Sequence, residues 1–170
     1  ALVFMAAIAI GTVATRLLIQ AVPLARCERF VIQAGLGLSV QSLWTLIVGW
    51  AGHLSFGTVM TPGISSIVFL AGDLILRKTP VHKHVPERPS FEPASRGIWM
   101  VTGWIALPFL ILLLLNGFTP PWEFDVREYH LQGPKEWFQA GQITFLEHNV
   151  YTSFPFLSEM LSLNAMVLAD

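Results

Sequence analysis

The chain has 170 residues, 54% of them hydrophobic and only 12% charged, with a mean hydropathy of +0.60 and a formal net charge of -1. A soluble domain carries charge on roughly a quarter of its residues, so this composition excludes an ordinary soluble globular protein. It also speaks against a nucleic-acid binder, which needs a basic surplus on one face to displace counterions from phosphate.

The first predicted element is an apolar run from Ala1 to Thr15 that continues past Arg16 to Pro23, enough for one membrane crossing. Arg16 is placed to snorkel towards headgroups. No basic segment precedes the run, so a cleavable signal peptide is not expected and the chain reads as starting inside a span. Cys27 stands alone among Arg26, Glu28 and Arg29 in a short connector, which rules out an intrachain disulfide and gives it no role.

From Phe30 to Gly72 no residue is charged, more than one crossing needs, so two helices are expected with a tight turn between Gly52 and Gly57. His53 reads as a turn residue. Pro62-Gly63 is expected to kink or delay the third helix, because proline removes a donor and crowds the preceding turn. Asp73 ends that helix and is expected to pair with Arg77, four residues on. The connector from Lys78 to Arg96 is rich in proline and charge, a composition that cannot bury a core. Its His82 and His84 read as solvated, with no thiols near them to complete a metal site.

A fourth uncharged run spans Gly97 to Phe118, kinked at Pro108, with Trp99, Trp104 and Trp122 towards its ends as interfacial aromatics. Eight of the ten basic residues lie in the first and third connectors: Arg16, Arg26 and Arg29, then Arg77, Lys78, Lys83, Arg88 and Arg96. The positive-inside rule makes that side cytoplasmic and the Pro120 to Pro155 loop external. The last apolar run, opening near Ser153 and Pro155, is too short to cross, so the chain reads as a piece of a larger protein.

The expected fold is therefore all-α, a polytopic transmembrane bundle of about five spans with the last incomplete. Its parts are three helices over 1–76, a cytoplasmic connector over 77–96, a fourth helix over 97–118, an extracytoplasmic loop over 119–152 and the start of a fifth helix over 153–170. The plasma (inner) membrane is the expected location.

The loop holds five of the eleven acids and two of the ten basic residues. Within it, Pro134 and Gly141 bracket a short helix, PKEWFQA, with proline in the first turn and glycine at the C-cap. Trp137 and Phe138 would rest on the membrane surface, with Lys135 and Glu136 towards water or a phosphate. Asp125 and Glu128 would share one helix face with Tyr129. A carboxylate partly desolvated at an interface moves towards the range useful to a general base. His130 and His148 lack the spacing for a metal set with these acids, so no metal or other cofactor is supported. Glu159, about a turn inside the last span, is expected to pair or line a polar cavity, either in a cavity shared with Asp125 or as an acid snorkelling to the interface.

The segment FDVREYHLQGPKEWFQAGQITFLEHNVYTSFPFLSEML resembles the first large extracytoplasmic loop of bacterial polytopic glycosyltransferases of the GT-C architecture. These are similar to the protein O-mannosyltransferase and lipid A aminoarabinose transferase group, glycosyltransferase family 39. The likeness rests on an acid after a span (Asp125), a tyrosine-histidine pair (Tyr129-His130), an aromatic helix ending in glycine (Pro134 to Gly141) and an aromatic-proline entry to the next span (Tyr151 to Pro155).

The resemblance implies sugar transfer from a polyprenyl-phosphate carrier to an acceptor outside the membrane, with a loop aspartate as general base. Asp125 or Glu128 would be that base, and Arg127 and Lys135 the local cations for the carrier phosphate. Tyr129, His130 and Glu159 would contact substrate. The partners implied are the polyprenyl-phosphate sugar, the lipid bilayer and the remaining helices of the whole protein; the isolated piece would be inactive. Two departures stand out: Val126 follows Asp125 where the eukaryotic mannosyltransferases carry an Asp-Glu pair, and three spans precede the loop-bearing one instead of one. The alternative is a polytopic transporter or non-catalytic scaffold with Asp73 and Glu159 as coupling or packing acids.

Overall fold

The computed structural model describes residues 1–19, 24–76, 96–120, 122–153 and 157–170. Residues 77–95 of the connector, with Arg77, Lys78, His82 and His84, lie outside the described residues, as does Pro155. Among the described residues every regular element is helical: α1 (Leu2–Leu18), α2 (Arg26–Trp50), α3 (Phe56–Leu76), α4 (Arg96–Gly117), α5 (Gln132–Ala140) and α6 (Glu159–Val167). A π-helical turn over Val126–His130 and a 3-10 turn over Val150–Ser153 complete the set.

Three helices, α2, α3 and α4, are long and apolar enough to cross a membrane. At 17 residues α1 is apolar but shorter, and α6 has nine. The chain is thus all-helical among the described residues, with three helices that could span a membrane by length and composition. Its sixth helix begins at Glu159 with Ser158 as the N-cap, not near Ser153 as the sequence suggested. Ser153 instead closes the 3-10 turn.

Helices α1 and α2 cross with their backbones nearly touching. A Cβ on Gly11 would collide with the Gln33 carbonyl, and one on Gly37 with the Ala7 carbonyl. Only glycine allows such an approach, and in a bilayer close packing of this kind is the main source of helix association. Gly63 of α3 faces Ala6 in the same way, its Cβ position 2.7 Å from the alanine methyl. Helix α3 runs on through Pro62-Gly63 without ending there.

At the far end of this trio Arg16 Nη1 lies 2.6 Å from Asp73 Oδ2. Asp73 was expected to pair along its own helix with Arg77, and Arg16 to reach for headgroups. The tight α1–α3 packing brings Arg16 to Asp73 across the bundle, while the expected pairing with Arg77 lies outside the described residues.

The α2–α3 turn falls where the uncharged run predicted it. Gly52 has a φ of 73°, a left-handed conformation that glycine adopts at no steric cost. Ser55 and Thr58 then cap α3 reciprocally, Ser55 N–H to Thr58 Oγ1 at 3.1 Å and Thr58 N–H to Ser55 Oγ at 3.4 Å. His53 Nδ1 lies 2.6 Å from the Ala51 carbonyl, a turn role as expected.

Onto this turn docks the segment after α5. Ile143 N–H donates to the Gly49 carbonyl at 2.8 Å, and Leu54 N–H to the Gly141 carbonyl at 3.3 Å. Trp137 is buried in a core with Val48, Val59, Met160, Leu163 and Val167, and its Nε1 donates to the Thr144 carbonyl at 2.8 Å. The expectation that Trp137 and Phe138 rest on a membrane surface is therefore corrected: Phe138 packs against the same core. The apolar face of α5 has a better partner in the end of the helical bundle than in lipid headgroups.

Helix α6 is held to α2 by a buried polar ladder. Gln41 Nε2 donates to Asn164 Oδ1 at 3.1 Å, Asn164 Nδ2 donates to Thr45 Oγ1 at 2.9 Å, and Thr45 Oγ1 donates to the Gln41 carbonyl at 2.9 Å. Ser42 Oγ donates to the Leu157 carbonyl. Interhelical bonds of this kind contribute about 0.6–2 kcal/mol each in a membrane. Gln41 Oε1 is left buried without a partner; turning both amides over would only leave the Gln41 amide nitrogen in its place. Helix α4, by contrast, buries none of its apolar window against the rest of the chain.

Candidate functional site

The π-helical turn decides the local geometry. Asp125 is its N-cap, and Leu131 N–H closes it by donating to the Val126 carbonyl at 3.0 Å. A π turn inserts an extra residue into helical geometry and is frequent at functional sites. Here it leads into α5, whose Gly133 packs against the Thr152 methyl. The C-terminus of α5 is capped by Gly141 at a φ of 68°, with Gln142 N–H reaching back to the Trp137 carbonyl at 3.2 Å.

These pieces enclose an open pocket of about 700 Å³. The π turn contributes Phe124, Asp125, Arg127, Glu128 and Tyr129; α5 contributes Gln132 and Glu136; the returning strand of loop contributes His148 through Tyr151. Asn149 fixes the return by donating from Nδ2 to the Glu128 carbonyl at 2.6 Å.

On one wall the Tyr129 phenol lies within electrostatic reach of the Asp125 carboxylate. Partial burial, then the neighbouring Asp125 charge, hold the phenol above its ordinary pKa. The Tyr129 ring lies 5.5 Å from that of Tyr151 and 4.4 Å from that of His130. On the facing wall Glu136 accepts from Gln132 Nε2 at 2.7 Å and sits 3.0 Å from His148 Nε2. The Gln132 bond, followed by the His148 contacts, holds the Glu136 carboxyl below its ordinary range despite partial burial.

Behind the pocket stands a second histidine-carboxylate pair. His130 Nδ1 contacts Glu159 Oε1, and Ser158 Oγ donates to Glu159 Oε2 at 2.9 Å. Glu159 is 4% exposed at the first turn of α6, where the positive end of the helix dipole favours an anion.

Comparison with family models, curated proteins and solved structures gave no match. What the site can do must be argued from its own atoms. Of the residues singled out in the sequence, Asp125, Arg127, Glu128 and Tyr129 meet in one pocket. Lys135 is exposed on α5 and does not line it. Glu159 and His130 also stand outside the lining, and Glu159 reaches Asp125 only through His130 and Tyr129.

Among the described residues no group of three or more His, Cys, Asp and Glu could hold a metal ion. Sequence reasoning missed Gln132 and Asn149, placed Glu136 only towards water or a phosphate, used Tyr151 only as the entry to the next span and weighed His148 only as a metal ligand. The i, i+4 spacing of Gln132 and Glu136 was the one local signal that they share a face.

Proposed function

We propose that this chain is part of an integral membrane glycosyltransferase that moves a sugar from a polyprenyl-phosphate carrier to an acceptor outside the membrane. The observation that carries the reading is the Asp125–Tyr129 pair on the wall of a pocket of about 700 Å³, with the Tyr151 ring beside it. Aromatic faces suit the apolar side of a sugar ring, and a carboxylate beside them suits the removal of a proton from an attacking hydroxyl.

In this reading the acceptor oxygen attacks the anomeric carbon with inversion while the bond to the carrier phosphate breaks. The phosphate leaves with the electron pair, and the acceptor proton passes to Asp125. Glu128 is the second carboxylate within reach of the same space, and Arg127 is the lining cation for the phosphate. About five crossings, with the basic connectors cytoplasmic and the 119–152 loop outside, put the pocket where a lipid-linked sugar and an external acceptor meet.

The test is Asp125→Asn in the intact protein. Transfer from polyprenyl-phosphate sugar falls by about 10²–10⁴-fold with membrane insertion unchanged; full retained activity removes Asp125 as the base.

A second reading, a transporter or scaffold, draws on the Arg16–Asp73 pair and the Gln41–Asn164–Thr45 ladder, which are polar groups between helices. It predicts no dependence on a polyprenyl-phosphate sugar in any assay of the intact protein.

A further inference from the structure

The pocket has a wall that the transfer reading does not use. His148 Nε2 lies 3.0 Å and 3.2 Å from the two oxygens of Glu136, and Gln132 fixes that carboxylate from the preceding helical turn at 2.7 Å. The imidazole is 65% exposed and lines the pocket together with Asp125. Its other nitrogen, Nδ1, has no partner among the described residues.

A carboxylate bonded to one imidazole nitrogen sets the tautomer: the proton sits on Nε2 and the lone pair on Nδ1. The same carboxylate stabilises the imidazolium formed when Nδ1 takes up a proton. Glu136 is suited to this, because the Gln132 and His148 bonds keep it ionised.

We propose that His148, oriented by Glu136, is the second proton acceptor of this pocket and carries the acceptor's proton from Asp125 to bulk water. The inference rests on the glycosyl-transfer reading above. Each turnover leaves a proton on the Asp125 carboxylate, the state that primes the reverse reaction. The Oδ–H bond of Asp125 breaks, a bond to His148 Nδ1 forms directly or through water in the pocket, and the imidazolium then gives the proton to solvent. Glu136 and Gln132 are positioning residues in this scheme. Neither receives the proton.

Chemical rescue tests it. In the intact, membrane-reconstituted protein with a polyprenyl-phosphate sugar, His148→Ala lowers kcat by about tenfold or more with little change in KM, and added free imidazole restores it. Glu136→Gln lowers kcat less and does not respond to imidazole. An undiminished kcat in His148→Ala, or a fall that imidazole does not repair, overturns the proposal. A second measurement separates this from failure of the transfer reading. Nitrogen NMR of the histidines in the wild-type protein shows the neutral His148 ring protonated at Nε2 alone, and the preference is lost in Glu136→Gln. A ring protonated at Nδ1 overturns the relay whether or not the protein transfers sugar; wild-type protein that shows the expected tautomer but no transfer overturns the transfer reading, and the relay with it.

Discussion

Two histidine-glutamate pairs lie on either side of Tyr129, built from the same chemistry and put to different use. In one, Glu159 is buried and ties His130 of the π turn to the first turn of α6. In the other, Glu136 on α5 holds an imidazole that is 65% exposed at the wall of the pocket. The comparison teaches that burial decides what such a pair is for. A carboxylate removed from water must keep both its partners, so the inner pair acts as a fastening. Where the imidazole stands in water it can exchange protons, and the outer pair has the makings of a reactive group.

The largest effect should come from breaking the inner pair. Glu159→Ala leaves His130 and the Ser158 hydroxyl without their shared acceptor. We expect a loss of about 2–4 kcal/mol in unfolding experiments on the purified protein. The figure sits below the full value for a buried pair because the His130 side chain is 38% exposed and can turn to water. An unchanged melting temperature would mean that the fastening is idle.

Next in size is Asn164→Leu, which cuts the ladder that seats α6 on α2 without touching either pair. It should cost about 1–2 kcal/mol and loosen amide protection over 132–140, which packs on α6 through Trp137, as well as over 126–130. Unchanged protection on both stretches would show that the ladder does not seat them.

Glu136→Ala is expected to cost less than about 1 kcal/mol, as partly exposed pairs do. Its effect should appear in kcat instead.

The smallest effect is that of acid. Because the folded Glu136 carboxyl is held below its ordinary range, the unfolded chain binds the proton more tightly. The contribution is complete above the ordinary carboxylate range near 4.3 and fades as pH falls through the lowered value. The protection of α5 amides, measured against their intrinsic exchange rates at each pH, should therefore be flat from neutrality to about pH 5 and fall only below the ordinary range.

Much of the helical layout was legible because charge is so rare in this chain. The uncharged run from Phe30 to Gly72 could only be two helices, and Gly52 marked the turn between them. Gly141 likewise announced the end of α5. What escaped notice depends on contacts between distant residues. No local pattern says that Arg16 faces Asp73 across the bundle, because the glycines that bring α1 and α3 together must first be known to touch. Trp137 looks like an interfacial aromatic until the end of α2 and α3 is put beneath it. Glu136 read as a solvated acid because its partner His148 is twelve residues away, across the turn that Gly141 begins. Asp125 and Tyr129 were found because their partnership is local; their role as a reacting pair is a reading that the Asp125→Asn experiment decides.

Gly37 and Gln41 are four residues apart on α2, one against the backbone of α1 and the other against Asn164 of α6. Four residues is about one helical turn, so the two contacts stand one above the other on nearly the same side of α2. A displacement of the first helix would be felt one turn on at Asn164, and from there along α6 at Glu159, without passing through α4.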